Sequence, residues 1–487
     1  MIQGIDYAAI APPLILAVAA IVLLLADAFD MPRRVLSLLS AGSLLAALIA
    51  VIALASGDRR ATFCLPGGLR SDGPRSCSYV ADDFTLLFQG IVLGAAVVVV
   101  LLSLREITDS KMPVGEYHFL LLSAVIGALA LVAARDLVLL VVALETLSLP
   151  VFALTALRRY DGKASEAALK LFLVSVVSTA IMLFGISLLY GATGAMHLDR
   201  IAPALSRLPA DLDPIASVGS VLVLAGFAFK VAAVPFHFWA PDVYQGAPLP
   251  VAAFLSVVSK AAGFAGLAIV LALGLPAYGH VWGPVIAVLA ALTMTLGNLL
   301  ALRQRTAIRL LAWSSVAQSG YMLAPLAVGS HRLPEAVAAT TAYVALYAVM
   351  NLGAFAVVIA YHHRRTLDDY RGLARRSPAT AAALAFFLIC LAGLPPGVMG
   401  LFAKVVVFRA TVAGGVTWLA VVMAINTVIG LYYYLAWAVR LFTPSPSDEH
   451  DVAPGPPARA AIIATAAGAI VLSAAPQIVL QTVSQAT

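Results

Sequence analysis

The stretch Phe229-Lys230-Val-Ala-Ala-Val-Pro235-Phe236-His237-Phe-Trp239 closes an apolar run that opens at Ile215. A run of this kind reaches across a bilayer, since a spanning helix takes roughly 20 mostly apolar residues. Two of its residues are out of place on a lipid-facing helix. A lysine at that depth costs several kcal/mol unless it faces protein or water. A proline removes a backbone donor and breaks the helical ladder, which lipid tolerates only beside protein or a wet cavity. The stretch therefore reads as a broken helix held inside a bundle of other membrane helices.

The rest of the chain supplies that bundle. Of 487 residues, 62% are hydrophobic and 11% charged, against about 25% charged in soluble domains. Apolar runs between turn and charge punctuation give about fourteen spanning segments. They are Ile10–Phe29, Val35–Ser56, Phe84–Leu104, Phe119–Ala134, Leu137–Leu157, Ala167–Tyr190, Ile215–Trp239, Val251–Gly274, Val281–Leu302, Ile308–Val328, Ala336–Tyr361, Ala379–Thr411, Val416–Leu441 and Ala460–Leu480. The expected fold is an all-α polytopic membrane protein with one integral membrane domain over residues 1–487. The first run lacks a basic lead-in and a small-residue cleavage site, so it reads as a membrane helix and not as a signal peptide. The net charge of +6 comes from 30 basic and 24 acidic residues spread over short loops. That spread forms no single basic patch, and no nucleic-acid partner is expected.

Segment 12 is interrupted like segment 7, by Gly393-Leu-Pro395-Pro396-Gly397 ahead of Lys404. Broken helices in corresponding parts of a chain point to inverted repeats. The repeats expected here are segments 4–8 (residues 119–274) and 9–13 (residues 281–441). Segments 1–3 (residues 10–104) and a last helix (residues 460–480) flank them. Loop lysines and arginines set the orientation. With the N-terminus outside, seventeen fall in inside loops and nine in outside loops, counting Arg70 among the outside and Lys111 and Arg159 among the inside. The count favours both termini outside, although the Arg-rich loop after segment 2 argues the other way.

The six lysines divide sharply from the 24 arginines. Nearly all arginines lie in loops or at segment ends, whereas Lys170, Lys230, Lys260 and Lys404 fall in or at the edge of apolar segments. Arginine effectively never releases its proton, while a desolvated lysine can exist charged or neutral. Among the acids, only Glu145 lies deep in an apolar segment, roughly 12 Å from its start at 1.5 Å per residue. One acid with one lysine can also be read as an ion pair gluing two helices, the lesser of the two readings. Three deep lysines for one acid read better as a chain of protonatable groups. Polar residues at helical spacing accompany them: Tyr343, Tyr347 and Asn351 on segment 11, Ser314, Gln318 and Tyr321 on segment 10, and Ser256 one turn before Lys260. Such stripes can wet an internal channel, or simply hydrogen-bond neighbouring helices. His237 is either a proton shuttle or interfacial packing.

Three cysteines complete the inventory. Cys64 and Cys77 share the loop after segment 2 and form either a disulfide, if that loop faces an oxidising compartment, or two free thiols. Cys390 lies in an apolar run and reads as a core residue. There is no Cys-x-x-Cys and no Gly-x-Gly-x-x-Gly opening a helix after a strand, so no redox cofactor or metal is expected in this chain.

The long motif from Phe229 to Pro248, which continues Ala-Pro241-Asp242-Val243-Tyr244-Gln-Gly246-Ala247-Pro248, resembles the signature of the antiporter-like subunits of respiratory complex I. Supporting matches are Glu145-Thr-Leu-Ser-Leu-Pro150, Ala168-Leu-Lys170-Leu-Phe-Leu, Ala312-Trp-Ser314-Ser315-Val-Ala-Gln318-Ser-Gly320-Tyr321, Tyr370-Arg371-Gly372-Leu373 and Gly393-Leu-Pro395-Pro396 with Lys404. The lysine in segment 12, and an end after segment 14 without a long lateral helix, narrow the resemblance to one kind among those subunits. The resemblance implies a fourteen-helix proton-translocating subunit of a bacterial inner-membrane NADH–quinone oxidoreductase. It further implies Glu145 paired with Lys230, Lys260 as central relay and Lys404 as terminal group. FMN, iron–sulfur clusters and quinone would belong to partner subunits, and another antiporter-like subunit, small membrane subunits and lipid would surround the chain. Leu144 stands where the family pattern has an aromatic, and the stretch from Pro395 to Lys404 is about one residue longer. The rival readings are a subunit of a multisubunit sodium/proton antiporter, whose chains share the motif, and a membrane scaffold without transport.

Overall fold

A computed structural model describes residues 4–66, 75–109, 112–158, 161–444 and 453–486. Arg70, Lys111 and Arg159, counted above for orientation, lie outside the described residues. Among the described residues, twelve helices are long and apolar enough to cross a membrane. The two segments missing from that count are the short and the broken ones. Segment 10 is the helix Ala307–Leu323, prolonged by a 3-10 turn over Ala324–Val328. Segment 12 divides into Pro378–Ala392 and Val398–Ala413. Counting both, the fourteen segments expected from hydropathy are present.

Segment 7 breaks where its lysine and proline stand. The helix Asp213–Lys230 stops at Lys230, and a short helix, Trp239–Gly246, resumes after the turn. Backbone groups freed inside hydrocarbon must find other partners, and here side chains supply them. Thr293 Oγ1 accepts the Val234 amide at 2.9 Å, Ser319 Oγ donates to the Val231 carbonyl at 2.6 Å, and Trp239 Nε1 donates to the Phe229 carbonyl at 3.2 Å. In segment 12 the Leu391 and Ala392 carbonyls accept from Gln318 Nε2 at 3.3 Å and Lys404 Nζ at 2.6 Å. Gly393 sits there at φ +81°, and a Cβ would come within 2.8 Å of Lys404 Cδ. Glycine is needed for both reasons.

The centre of the bundle is segments 8, 10 and 11, which are buried almost throughout. Segment 8 is not a uniform α-helix. It runs Leu249–Phe254, widens to a π-turn over Leu255–Ser259, and returns to α at Lys260. Segments 1, 2, 6, 13 and 14 keep wide apolar faces outward, such as Leu38, Ile49, Phe184, Val428 and Ile463. These are the faces a bilayer or a neighbouring membrane chain would cover.

Hydropathy gave no warning of one element. The loop after segment 2 forms an antiparallel hairpin, β1 (Arg60–Cys64) and β2 (Cys77–Ala81), closed by a Cys64–Cys77 disulfide. The hairpin ties down the ends of segments 3 to 5. The Arg135 amide donates to the Ser78 carbonyl at 2.8 Å, and the Arg135 guanidinium reaches Asp82 at 2.7 Å and Thr85 Oγ1 at 3.0 Å. Burial pushes the Asp82 carboxyl upward, but Arg135 and the Thr85 amide outweigh it and hold it below the usual carboxylate range. Asp136, next in the chain, caps segment 5 by accepting the Leu139 amide.

Candidate functional site

Three lysines lie in the buried centre: Lys230 is 6%, Lys260 2% and Lys404 6% exposed. Each is held differently. Lys230, at the broken end of segment 7, donates to Ser148 Oγ on segment 5 at 2.8 Å. Its stem crosses segment 8 at Gly263, where an added Cβ would meet Lys230 Cγ at 3.0 Å. Lys260 follows the π-turn and donates to both the carbonyl (2.5 Å) and the hydroxyl (2.6 Å) of Ser315 on segment 10. Lys404 turns back onto the break of its own segment, at the Ala392 carbonyl, and lies over the Tyr321 ring at 5.4 Å. Among the described residues, none of the three has a carboxylate within 4.0 Å.

Glu145 is one turn from Ser148 but takes another partner. It is partly exposed, and its Oε1 accepts from Thr179 Oγ1 of segment 6 at 2.7 Å. The direct Glu145–Lys230 ion pair expected from the resemblance is therefore not made. Ser148, one turn on and buried where Glu145 is partly exposed, takes the lysine instead. Next to Lys230 lies a cavity of about 10 Å3 whose polar lining is Ser148, Ser175, Lys230 and Ser259, among apolar walls such as Phe152, Leu171 and Phe229. It is about the size of one water. Ser175 Oγ in its wall is buried without a hydrogen-bond partner among the described residues.

Both polar stripes read from the sequence point inward and meet. Tyr347 Oη donates to Ser315 Oγ at 2.9 Å, Tyr343 Oη to Gln318 Oε1 at 2.5 Å, and Asn351 Nδ2 to Ser256 Oγ at 2.9 Å. Lys260 Nζ also lies 5.6 Å above the Tyr347 ring. On the far side, Tyr434 of segment 13 takes Ser314 Oγ and Gln318 Nε2. Tyr321 stacks on Tyr343 at 6.3 Å and so joins this cluster to Lys404. Ser315 is the residue the stripe reading missed. It lies one position off the Ser314–Gln318–Tyr321 face, and only packing shows that it faces Lys260.

Two expected members stand apart. Lys170 is 46% exposed at the end of segment 6 and pairs with Glu166 at 2.8 Å and Asp242 at 2.9 Å. His237 is buried in the break of segment 7 and packs on Trp313, ring centroids 5.5 Å apart. Its Nδ1 and Trp313 Nε1 both lack a hydrogen-bond partner among the described residues. No cluster of three or more metal-ligating side chains occurs among the described residues.

What the arrangement offers chemically is amino groups among hydroxyls. An amine accepts or releases a proton, and each Ser or Tyr hydroxyl both donates and accepts. Ser315 Oγ receives hydrogen bonds from Lys260 and from Tyr347, so it couples the lysine to Tyr347.

Comparison with known proteins follows the same lines. The family described as NADH:quinone oxidoreductase/Mrp antiporter, transmembrane, matches residues 134–430. The chain is 52% identical to "NADH-quinone oxidoreductase subunit N 2" of Streptomyces griseus, over 99% of this chain and 94% of that one. It is 46% identical to "NADH-quinone oxidoreductase subunit N" of Salinispora tropica, over 91% and 86%. A chain in the structure of respiratory complex I from Thermus thermophilus superposes with a TM-score of 0.78 at 31% identity, covering 98% of this chain and all of that one. A chain of the Mrp complex from Dietzia sp. shares the fold, with a TM-score of 0.84 at 21% identity over 98% and 96%.

Proposed function

Since the chain belongs to the NADH:quinone oxidoreductase/Mrp antiporter family, we propose that it is subunit N of a bacterial NADH–quinone oxidoreductase and carries protons through the membrane arm of that complex. The observation that carries the reading is Lys260: fully buried, bound to two oxygens of Ser315, whose hydroxyl also accepts from Tyr347. An ammonium kept only as a tether would be expected on a carboxylate, because an uncompensated buried charge is costly. Held by a hydroxyl and a carbonyl, Nζ has partners whether it carries two hydrogens or three. Protonated Lys260 donates to both Ser315 oxygens, and neutral Lys260 can instead accept from the Ser315 hydroxyl. The proton passes from Glu145 and Lys230 by way of Ser148 and the water-sized cavity to Lys260. From there it moves across the Ser315–Tyr347 and Gln318–Tyr343 groups to Lys404. The chain sits in the inner membrane with both termini outside, as the loop charges favour, and segments 4–8 and 9–13 form its two inverted repeats. FMN, iron–sulfur clusters and quinone belong to partner subunits, including another antiporter-like subunit and small membrane subunits.

The test is made on the chain purified with its natural partners and reconstituted in vesicles. Lys404→Ala should slow NADH-driven proton uptake and electron transfer together, and Lys404→Arg should not restore them, since arginine keeps its proton. Unimpaired pumping in both variants would overturn the reading. So would co-purification without flavin or iron–sulfur subunits together with sodium/proton exchange, which would instead make the chain part of a cation antiporter.

A further inference from the structure

The π-turn Leu255–Ser259 lies directly before Lys260 on segment 8, and a π-turn takes one residue more than an α-turn. Were these residues α-helical instead, Lys260 would point about 100° away from Ser315, because each α-helical residue turns the chain by that angle. Two side chains meet at the turn, both fully buried. Ser256 Oγ donates to the carbonyl of Ala253, in the α-helical stretch just before the turn, at 2.8 Å. Asn351 Nδ2, from segment 11, donates to the same Ser256 oxygen at 2.9 Å. Asn351 Oδ1 has no hydrogen-bond partner among the described residues, so the Ser256 bond is what orients the amide.

Ser256 does not suit a proton path. Its hydrogen is committed to a backbone carbonyl and its oxygen receives an amide N–H, and neither group passes a proton on. A serine bonded back to its own helix competes instead with the helical ladder and bends it. We propose that Ser256 and Asn351 are positioning residues, which together hold the π-turn that points Lys260 at Ser315. The proposal rests on the role given to Lys260 above and adds the device that aims it. Segment 11 carries both halves of the arrangement. Tyr347 holds Ser315, the acceptor of the lysine. Asn351, four residues on and on the same helical face, holds the turn that orients the lysine.

The experiment turns on deletion of Val258 within the turn. Removing one residue of a π-turn leaves an α-helix in register on both sides, so Lys260 keeps its direction and no longer needs the two side chains. In the intact complex, reconstituted in vesicles, Ser256→Ala and Asn351→Leu should each slow NADH-driven proton uptake at least about tenfold. Joined to the Val258 deletion, each should return to within about threefold of the parent. Loss of a serine that itself carried the proton could not be rescued in this way. Cryo-electron microscopy of the same preparations supplies a readout independent of pumping. Lys260 should meet Ser315 in the parent and in the deletion forms, and should turn away in Ser256→Ala. If a single variant does not assemble, the deletion forms decide: Lys260 on Ser315 supports the proposal, and Lys260 off it overturns it. Lys260 still bound to Ser315 in Ser256→Ala would also overturn it, as would a double variant as slow as the single. A parent complex that pumps no protons would sink the function proposed above, and the direction of Lys260 would still decide this proposal.

Discussion

Lys170 and Lys260 look alike in the sequence, each a lysine flanked by apolar residues, and they end in opposite environments. Lys170 is 46% exposed and held between two carboxylates, Glu166 and Asp242. Lys260 is 2% exposed and held by one serine, with no carboxylate within 4.0 Å among the described residues. The difference comes from what packs around each helix and from the π-turn Leu255–Ser259, which resets the phase of segment 8 just before Lys260. Such π-turns are frequent at functional sites. A lysine between carboxylates is a fixed charge, whereas a lysine among hydroxyls can change its charge. Depth in an apolar run says only that a lysine needs partners, and the kind of partner separates a tether from a carrier.

The largest expected effect tests the carrier side. Lys260→Ala should abolish coupled proton uptake in reconstituted complex, and Lys260→Arg should stay more than about tenfold slower than the parent, because arginine fills the space but keeps its proton. Near-normal pumping with arginine would make Lys260 a structural charge like Lys170 and erase the contrast.

Next in size is the link between Glu145 and Lys230. Glu145→Gln and Lys230→Ala should each slow pumping, and the double variant should be no worse than the more damaging single, a non-additivity of roughly 1–3 kcal/mol. Ser148→Ala should show part of the same coupling, since Ser148 is the residue that touches Lys230. Strictly additive losses would mean that Glu145 works at a separate place.

A true ion pair outside the membrane sharpens the other half of the comparison. The Asp82 carboxyl is held below its ordinary range, so its pairing with Arg135 stabilises the fold above the usual carboxylate pKa and is lost as pH falls through the lowered value. Asp82→Asn should lower thermal stability by roughly 1–3 kcal/mol at neutral pH, with the gap from the parent closing on acidification. A gap that widens in acid would refute the assignment.

The smallest effect belongs to Lys170. Lys170→Met removes two exposed ion pairs that solvent screens and should change pumping by less than about twofold. A loss comparable to that of Lys260→Ala, measured in the same vesicles, would bring Lys170 into the proton path and break the comparison.

Hydropathy alone fixed the number of spanning segments, because each must satisfy its backbone within a helix and cover itself with apolar atoms. Proline and glycine marked both breaks, since those residues interrupt a ladder wherever they stand. The lysine-for-arginine split singled out Lys230, Lys260 and Lys404, because proton exchange is a property of the side chain itself. Partners were another matter. Ser148, Ser315 and Thr179 are ordinary hydroxyl residues in apolar helices, and nothing local distinguishes one that meets a lysine from one that bonds its own helix. The β-hairpin was hidden because five-residue strands carry little periodicity, and the π-turn because one extra residue per turn leaves no mark in composition. Whether a lysine is exposed or enclosed depends on residues hundreds of positions away in the chain. Only packing brings those residues together, so only the tertiary structure decided which lysines are enclosed.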